Sequence, residues 1–299
     1  MGFTTDGLNA ASPRSRRPRM RLTLGAVGAA AMMAALPALS STAIALHSSA
    51  THNNISAMGF RNAAAHAGTS GGNLIDHGGK VLAASNTYVI WWGNSAAWPS
   101  DVQSGIGSFF GGLNGTRFLN DGLQYMRGAA ISTAYQGARF DSSTPPRKIQ
   151  PSTLGTEVQK IYGTSLDPNG IYFVMTSSFP GSGGFCAWHS LTTVGSQQIA
   201  VAYMPNTNGQ AGCDPGNLYG VTGSEGLRSL VNVTSHEYME AITDALPASS
   251  TLAWQDSAGA ENGDKCAWTF GGPVTLNNGS VWQLQQEWSN AVTGCVQTI

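Results

Sequence analysis

The chain has 299 residues, of which 10% are charged, 41% are hydrophobic and 38 are Gly, with a formal net charge of −1. That composition excludes a coiled coil and a charged disordered tail, and describes a loop-rich globular chain of one large domain or two small ones. After Ala45 there are four Lys and six Arg against fifteen Asp and Glu, a balance near −5 that carries no basic nucleic-acid footprint.

The first residues differ from the rest. Arg14, Arg16, Arg17, Arg19 and Arg21 form a basic run, and an apolar stretch follows from Leu22 to about Leu39. Ala43-Ile44-Ala45 then supplies an A-x-A-like cleavage site. This order predicts a secretory signal peptide over residues 1–45. The alternatives are a membrane anchor, which Pro37 and the Ala/Gly content disfavour, and a twin-arginine signal at Arg16-Arg17. No later stretch is long and apolar enough to span a membrane, so no membrane contact is expected once the leader is removed. Residues 46–75 are rich in Ser, Ala, Asn and Gly without a steady period, which predicts a flexible lead-in or propeptide. His47, His52 and His66 fall in it and are assigned no role.

The folded domain is expected over residues 76–299. Lys80-Val81-Leu82 and the β-branched, aromatic run Thr87 to Trp92 bracket a short turn, and the second run reads as a buried strand. Val102, Ile106, Phe109, Phe110 and Leu113 recur at helical spacing, and Arg117 to Met126 is expected to form a second helix. Gly128 to Phe140 has strand character, and Ile149 to Tyr162 suits another helix. Asp167-Pro168-Asn169-Gly170 is a turn. Ile171 to Thr176 and Ile199 to Met204 read as buried strands. Irregular alternation of helices and strands predicts one α+β or α/β domain.

Cys186, Cys213, Cys266 and Cys295 are an even set in an exported chain, which predicts two disulfides. Three pairings exist, and the most local, Cys186–Cys213 with Cys266–Cys295, is favoured. The absence of C-x-x-C argues against a zinc cage.

The segment Thr222 to Asp244 carries the chemistry. Thr222 and Glu225 have capping-box spacing, which places a helix start there, with Leu227, Leu230, Val231 and Ile242 on the buried face. Within it lies Ser235-His236-Glu237-Tyr238-Met239-Glu240. His236 and Glu240 are one helical turn apart on one face, a spacing at which both can grip a metal. Glu237 stands beside them as a general base toward a water that zinc would acidify. The pattern is that of H-E-x-x-H zinc peptidases with Glu replacing the second His. A solvated acidic helix face is the plain alternative. Downstream, Asp256, Glu261 and Asp264 supply three carboxylates, any of which could complete a zinc site. A structural calcium loop is the other reading of that acidic turn. His189 follows Cys186 and could act as a ligand, as an oxyanion donor, or as a structural His. His77 reads as structural. No Walker loop or dinucleotide fingerprint is present, and the even, paired Cys set disfavours a thiol nucleophile.

The order of several segments resembles the phosphate-induced protein 1 family, also called EXORDIUM-like. The matching pieces are His77-Gly78-Gly79-Lys80-Val81-Leu82, Tyr88-Val89-Ile90-Trp91-Trp92-Gly93, Asn169-Gly170-Ile171-Tyr172 and Val174-Met175-Thr176-Ser177-Ser178. Further on they are Cys186-Ala187-Trp188-His189, the stretch Ser235 to Asp244, the stretch Glu261 to Cys266, Gln286-Glu287-Trp288-Ser289-Asn290 and Cys295. The similarity runs from about Asp76 to the C-terminus. It implies an exported, wall-located protein without a settled activity. The Arg-rich leader and the Ala/Ser-rich lead-in depart from the family. The family pattern keeps acidic residues at Glu261 and Asp264 and lets Asn replace Asp244. That makes Glu261 the preferred third ligand, with Asp264 and Asp256 behind it.

The resulting expectation is an α+β (or α/β) zincin-like domain with a mixed sheet, an active-site helix and two disulfides. Zinc would be held by His236, Glu240 and Glu261, with Glu237 as base and His189 orienting substrate. The function expected is a secreted, peptidase-like zinc hydrolase acting on an extracellular peptide or wall component. The alternative is a non-catalytic wall or matrix protein whose acidic cluster is structural, with calcium or no metal.

Overall fold

In this computed structural model, residues 55–61, 71–181 and 183–298 are described, and all of them fall within the compact unit Ala45–Ile299. The expected leader, His47, His52 and His66 lie outside the described residues.

Six strands build the main sheet: β1 (Ile55–Gly59), β3 (Ala84–Trp92), β4 (Ser132–Asp141), β5 (Gly170–Thr176), β6 (Phe185–Val194) and β7 (Gln197–Pro205). A two-residue β2 (Ile75–Asp76) precedes β3. The order across the sheet is β1-β6-β7-β5-β3-β4. β4, β3, β5 and β7 run parallel, and β6 and β1 close one side antiparallel. The sheet is therefore mixed, as expected.

Side chains alternate across these strands because successive Cβ atoms point to opposite faces. Ile171, Phe173 and Met175 of β5 face a cluster with Phe109 of α1 (Val102–Gly112) and Leu230 and Met239 of α4 (Glu225–Thr243). Tyr172 and Val174 face the other way, toward Leu154 and Val158 of α3 (Pro151–Tyr162). Helices thus cover both faces, which is why the central strands read as unbroken apolar runs. The remaining elements are short: α2 (Arg117–Asn120), β8 (Trp254–Gln255), α5 (Asn262–Lys265), β9 (Pro273–Thr275), β10 (Val281–Gln283), β11 (Glu287–Ser289) and β12 (Gly294–Val296). Two 3₁₀ turns, Ser95–Ala97 and Leu123–Tyr125, complete the list among the described residues.

Several expectations are corrected. The predicted helix over Arg117 to Met126 is α2 followed by a separate 3₁₀ turn. Residues 55–59, expected within a lead-in of no regular structure, form β1 on the sheet. The stretch around His189, read without a strand, is β6. The helix starts at Ser224 rather than Thr222. Ser224 Oγ accepts from Leu227 N–H, while Asp101 accepts from both Ser224 N–H and Oγ at 2.7 Å. The favoured disulfide pairing is present: Cys186–Cys213 ties β6 to the segment before α4, and Cys266–Cys295 ties the end of α5 to β12.

Candidate metal centre

α4 is buried almost all round, so its H-E-x-x-E face is no solvated acidic face. His236, Glu237 and Glu240 are each fully buried. An ionised group in such a place needs a compensating charge or bond. β6 supplies the first partner. Trp188 is packed toward α3, and the next residue, His189, is turned onto α4. α5 supplies the second, since its preceding residue Glu261 and its Asp264 lie over the same helical turn.

His189 is the hub. Its Nδ1 lies 3.2 Å from Glu237 Oε2 and 3.4 Å from Glu240 Oε2. Its Nε2 lies 3.5 Å from Glu261 Oε2. His189 Nε2, Glu240 Oε2 and both Glu261 oxygens have no hydrogen-bond partner among the described residues. Such orphaned atoms are rare in folded interiors and call for an explanation. His189, Glu240 and Glu261 each bring a ligand atom within 4.8 Å of the others.

A second grouping shares Glu240. His236 Nε2 is 3.1 Å from Glu240 Oε1 and 3.8 Å from Asp264 Oδ1. His236, Glu240 and Asp264 also meet the 4.8 Å condition. The side chain of Asp264 is 25% exposed, unlike the others. The predicted trio His236, Glu240 and Glu261 is therefore divided between the two groupings, which use opposite oxygens of Glu240. Glu261 is brought to His189 instead.

Gln285, which the sequence reading did not single out, discriminates between them. Its Nε2 donates to Gly263 O at 2.9 Å and lies 2.9 Å from His236 Nδ1. In the neutral imidazole, as beside a bound cation, an amide fixed as a donor by the carbonyl makes Nδ1 the acceptor and leaves the hydrogen on Nε2, aimed at Glu240. On His189 the reverse holds. Nδ1 faces two carboxylates, and Nε2 is left for a ligand. A His whose second nitrogen donates to a carboxylate is the usual outer arrangement of a metal-bound imidazole. Gly263 completes the fit, because a Cβ there would fall 2.8 Å from His236 Nδ1 and 3.0 Å from Glu240 Oε1. Glu287, also unrecognised in advance, is buried nearby on β11.

Electrostatics mark the centre as short of positive charge. Burial, then the Glu240 charge, pushes the Asp264 carboxyl up to about 8. Burial is also the main cause that raises Glu237 above its ordinary value and Glu261 well above it. Burial disfavours a charged His236, yet the charge and hydrogen bond of Glu240 outweigh it and raise that imidazole to about 10. His189 is raised in the same way against its burial, by Glu261, Glu237 and Glu240. Glu240 alone is lowered, because His236 and His189 overcome its burial. Several carboxylates around two imidazoles fit a divalent cation, which would remove these conflicts together.

Two of the remaining candidates do other work. Asp256, a second-choice ligand, is outside both groupings and has other partners. Its Oδ2 accepts from Lys265 Nζ at 2.7 Å, and its Oδ1 accepts from the N–H groups of Ala258 and Ala260. Asp244, set aside in the sequence reading, accepts from Ala253 N–H and lies buried beside Glu261. Comparison of the chain with protein-family models, with curated proteins and with solved structures finds no match.

Proposed function

We propose that the chain is an exported, zinc-dependent hydrolase of peptidase type, with His189, Glu240 and Glu261 as the metal ligands. The observation that carries this reading is that His189, Glu240 and Glu261, all fully buried, each bring a ligand atom within 4.8 Å of the others. One imidazole with two carboxylates suits zinc better than calcium, which takes oxygen ligands. Bound there, zinc would supply a Lewis acid that polarises a carbonyl.

The chain's own groups divide the remaining work. Glu237 holds His189 through Oε2, and Oε1 is the oxygen available as a base. It takes a proton from the attacking water and returns it to the departing nitrogen, as the hydroxyl joins the carbonyl carbon and the C–N bond breaks. His236 steadies Glu240 from the far side, and Gln285 steadies His236. The basic-apolar leader, the two disulfides and the EXORDIUM-like resemblance support an extracellular setting. No helix among the described residues is long and apolar enough to cross a membrane.

The test is metal content by mass spectrometry on purified secreted protein. Wild type is expected to hold about one zinc per chain. His189→Ala and Glu261→Gln should lose it while still folded, and His236→Ala should retain it with weaker affinity. Loss in His236→Ala with retention in His189→Ala would move the site to the second grouping. No zinc in wild type after refilling at neutral pH would sink the hydrolase reading and favour the non-catalytic wall-protein alternative.

A further inference from the structure

A hydrolytic centre needs a way in, yet Glu237, His189, Glu240 and Glu261 are all fully buried. Part of their cover is β1. Met58, itself fully buried, donates its backbone N–H to Glu237 Oε1 at 3.4 Å. That is the oxygen assigned above to proton transfer.

The segment is held as an extended peptide would be held. β1 adds antiparallel to β6, with Ser56 opposite His189, Ala57 opposite Trp188 and Met58 opposite Ala187. The register breaks between Met58 and Gly59, and other main-chain contacts take over. Trp268 Nε1 donates to Gly59 O at 3.1 Å, Phe60 N–H to Gly184 O at 3.1 Å, and Arg61 N–H to Gly212 O at 2.8 Å. Contacts to the backbone tolerate many sequences, and pockets for alternate side chains then select among them, as in recognition by strand addition. Here Met58 fills a buried apolar position, and the Phe60 ring stacks on Phe179. A Cβ on Gly212 would come within 3.0 Å of the Phe60 ring, so that glycine leaves room for the segment.

We propose that residues 55–61 occupy a groove that serves an extended polypeptide. The full chain is then a self-blocked form, and the ligand of the site is a peptide strand with an apolar side chain at the Met58 position. The inference rests on the hydrolase reading where it takes Glu237 as the base. The groove itself stands on the β1 contacts.

The experiment places a recognition sequence for a sequence-specific protease between Arg61 and Gly71 in the full chain, so that the domain folds with β1 present and is cut afterwards. The probe is a fluorescent peptide copying residues 55–61, read by anisotropy with and without zinc. A tethered strand competes at about millimolar effective concentration, so the cut protein should bind the probe at least about tenfold more tightly than the uncut one. N-methylation of the probe at its Met position, which removes the donor to Glu237, should weaken binding. A Met58→Asp full chain, whose strand is expelled by the buried charge, should also take up the probe. Equal binding to cut and uncut protein would put the probe elsewhere and overturn the proposal. So would a cut protein that unfolds on losing the strand, or one that stays folded and never exchanges it. Exchange without zinc binding would leave the groove and remove the hydrolase. Zinc binding without exchange would do the reverse.

Discussion

His189 Nε2 and Glu261 Oε2 face each other at 3.5 Å, both side chains fully buried and neither atom with a hydrogen-bond partner among the described residues. One residue stands on a sheet strand and the other just before a four-residue helix, and the gap between them is where a cation fits. Zinc at a hundredfold excess over its Kd should stabilise wild type by about 2.7 kcal/mol. Glu261→Gln should show no such gain, while its metal-free form melts no lower than wild type because one buried carboxyl is gone. Thermal melts with and without zinc check both expectations.

Gly263 of α5 lies directly against α4. An added Cβ would press on His236 Nδ1 and Glu240 Oε1 together. Gly263→Ala should therefore cost about 1–3 kcal/mol in stability, as overpacking does. Zinc affinity should fall about 10- to 100-fold, the range for disturbed outer partners of a metal site. Calorimetric zinc titration would show it, and unchanged affinity would mean that Gln285 and His236 do not support the ligands.

Asp256 and Lys265 form a buried ion pair at 2.7 Å, with Lys265 Nζ 4.3 Å from the Trp288 ring centroid. Breaking such a pair from one side leaves an uncompensated charge. Lys265→Met should cost about 3–5 kcal/mol, and the double variant Lys265→Met with Asp256→Leu should recover much of that. Asp256→Asn should leave zinc stoichiometry unchanged in the folded fraction, which denaturant melts and metal analysis on the same samples would establish.

Glu157 on α3 is buried 3.7 Å from Lys160 Nζ, and burial, then neighbouring Asp141, pushes its carboxyl up to about 7. The folded value stands above the ordinary 4.5. Its contribution to stability is thus fully present below about pH 4.5 and is lost as the pH rises through about 7. Glu157→Gln should match wild type near pH 4.5 and exceed it at pH 8, by up to about 3 kcal/mol at about 1.4 kcal/mol per pKa unit. Denaturant midpoints at the two pH values decide it.

Much of the fold was legible because its cues are local. The apolar runs Thr87 to Trp92, Ile171 to Thr176 and Ile199 to Met204 lie within β3, β5 and β7. The periodic spacing from Val102 marks α1. β6 was not legible, since glycines precede it and Cys186 to Ser190 mix small, aromatic and polar types. Its strand conformation comes from β1 and β7 on either side. The start of α4 was off by two residues because Ser224 and Thr222 are both capable caps, and distant Asp101 selects Ser224.

The same division runs through the site. By itself the sequence determined that His236, Glu237 and Glu240 share one helix, that carboxylates follow downstream, and that four Cys are available to pair locally. Helical periodicity and chain proximity decide such things. Only the tertiary structure decided that Glu261 meets His189 rather than His236, that Asp256 belongs to Lys265, and that residues 55–61 lie over Glu237. Each of these depends on which strand and which short helix are packed against α4. Such packing is chosen by burial across the whole sheet, and no short-range pattern in the chain encodes it.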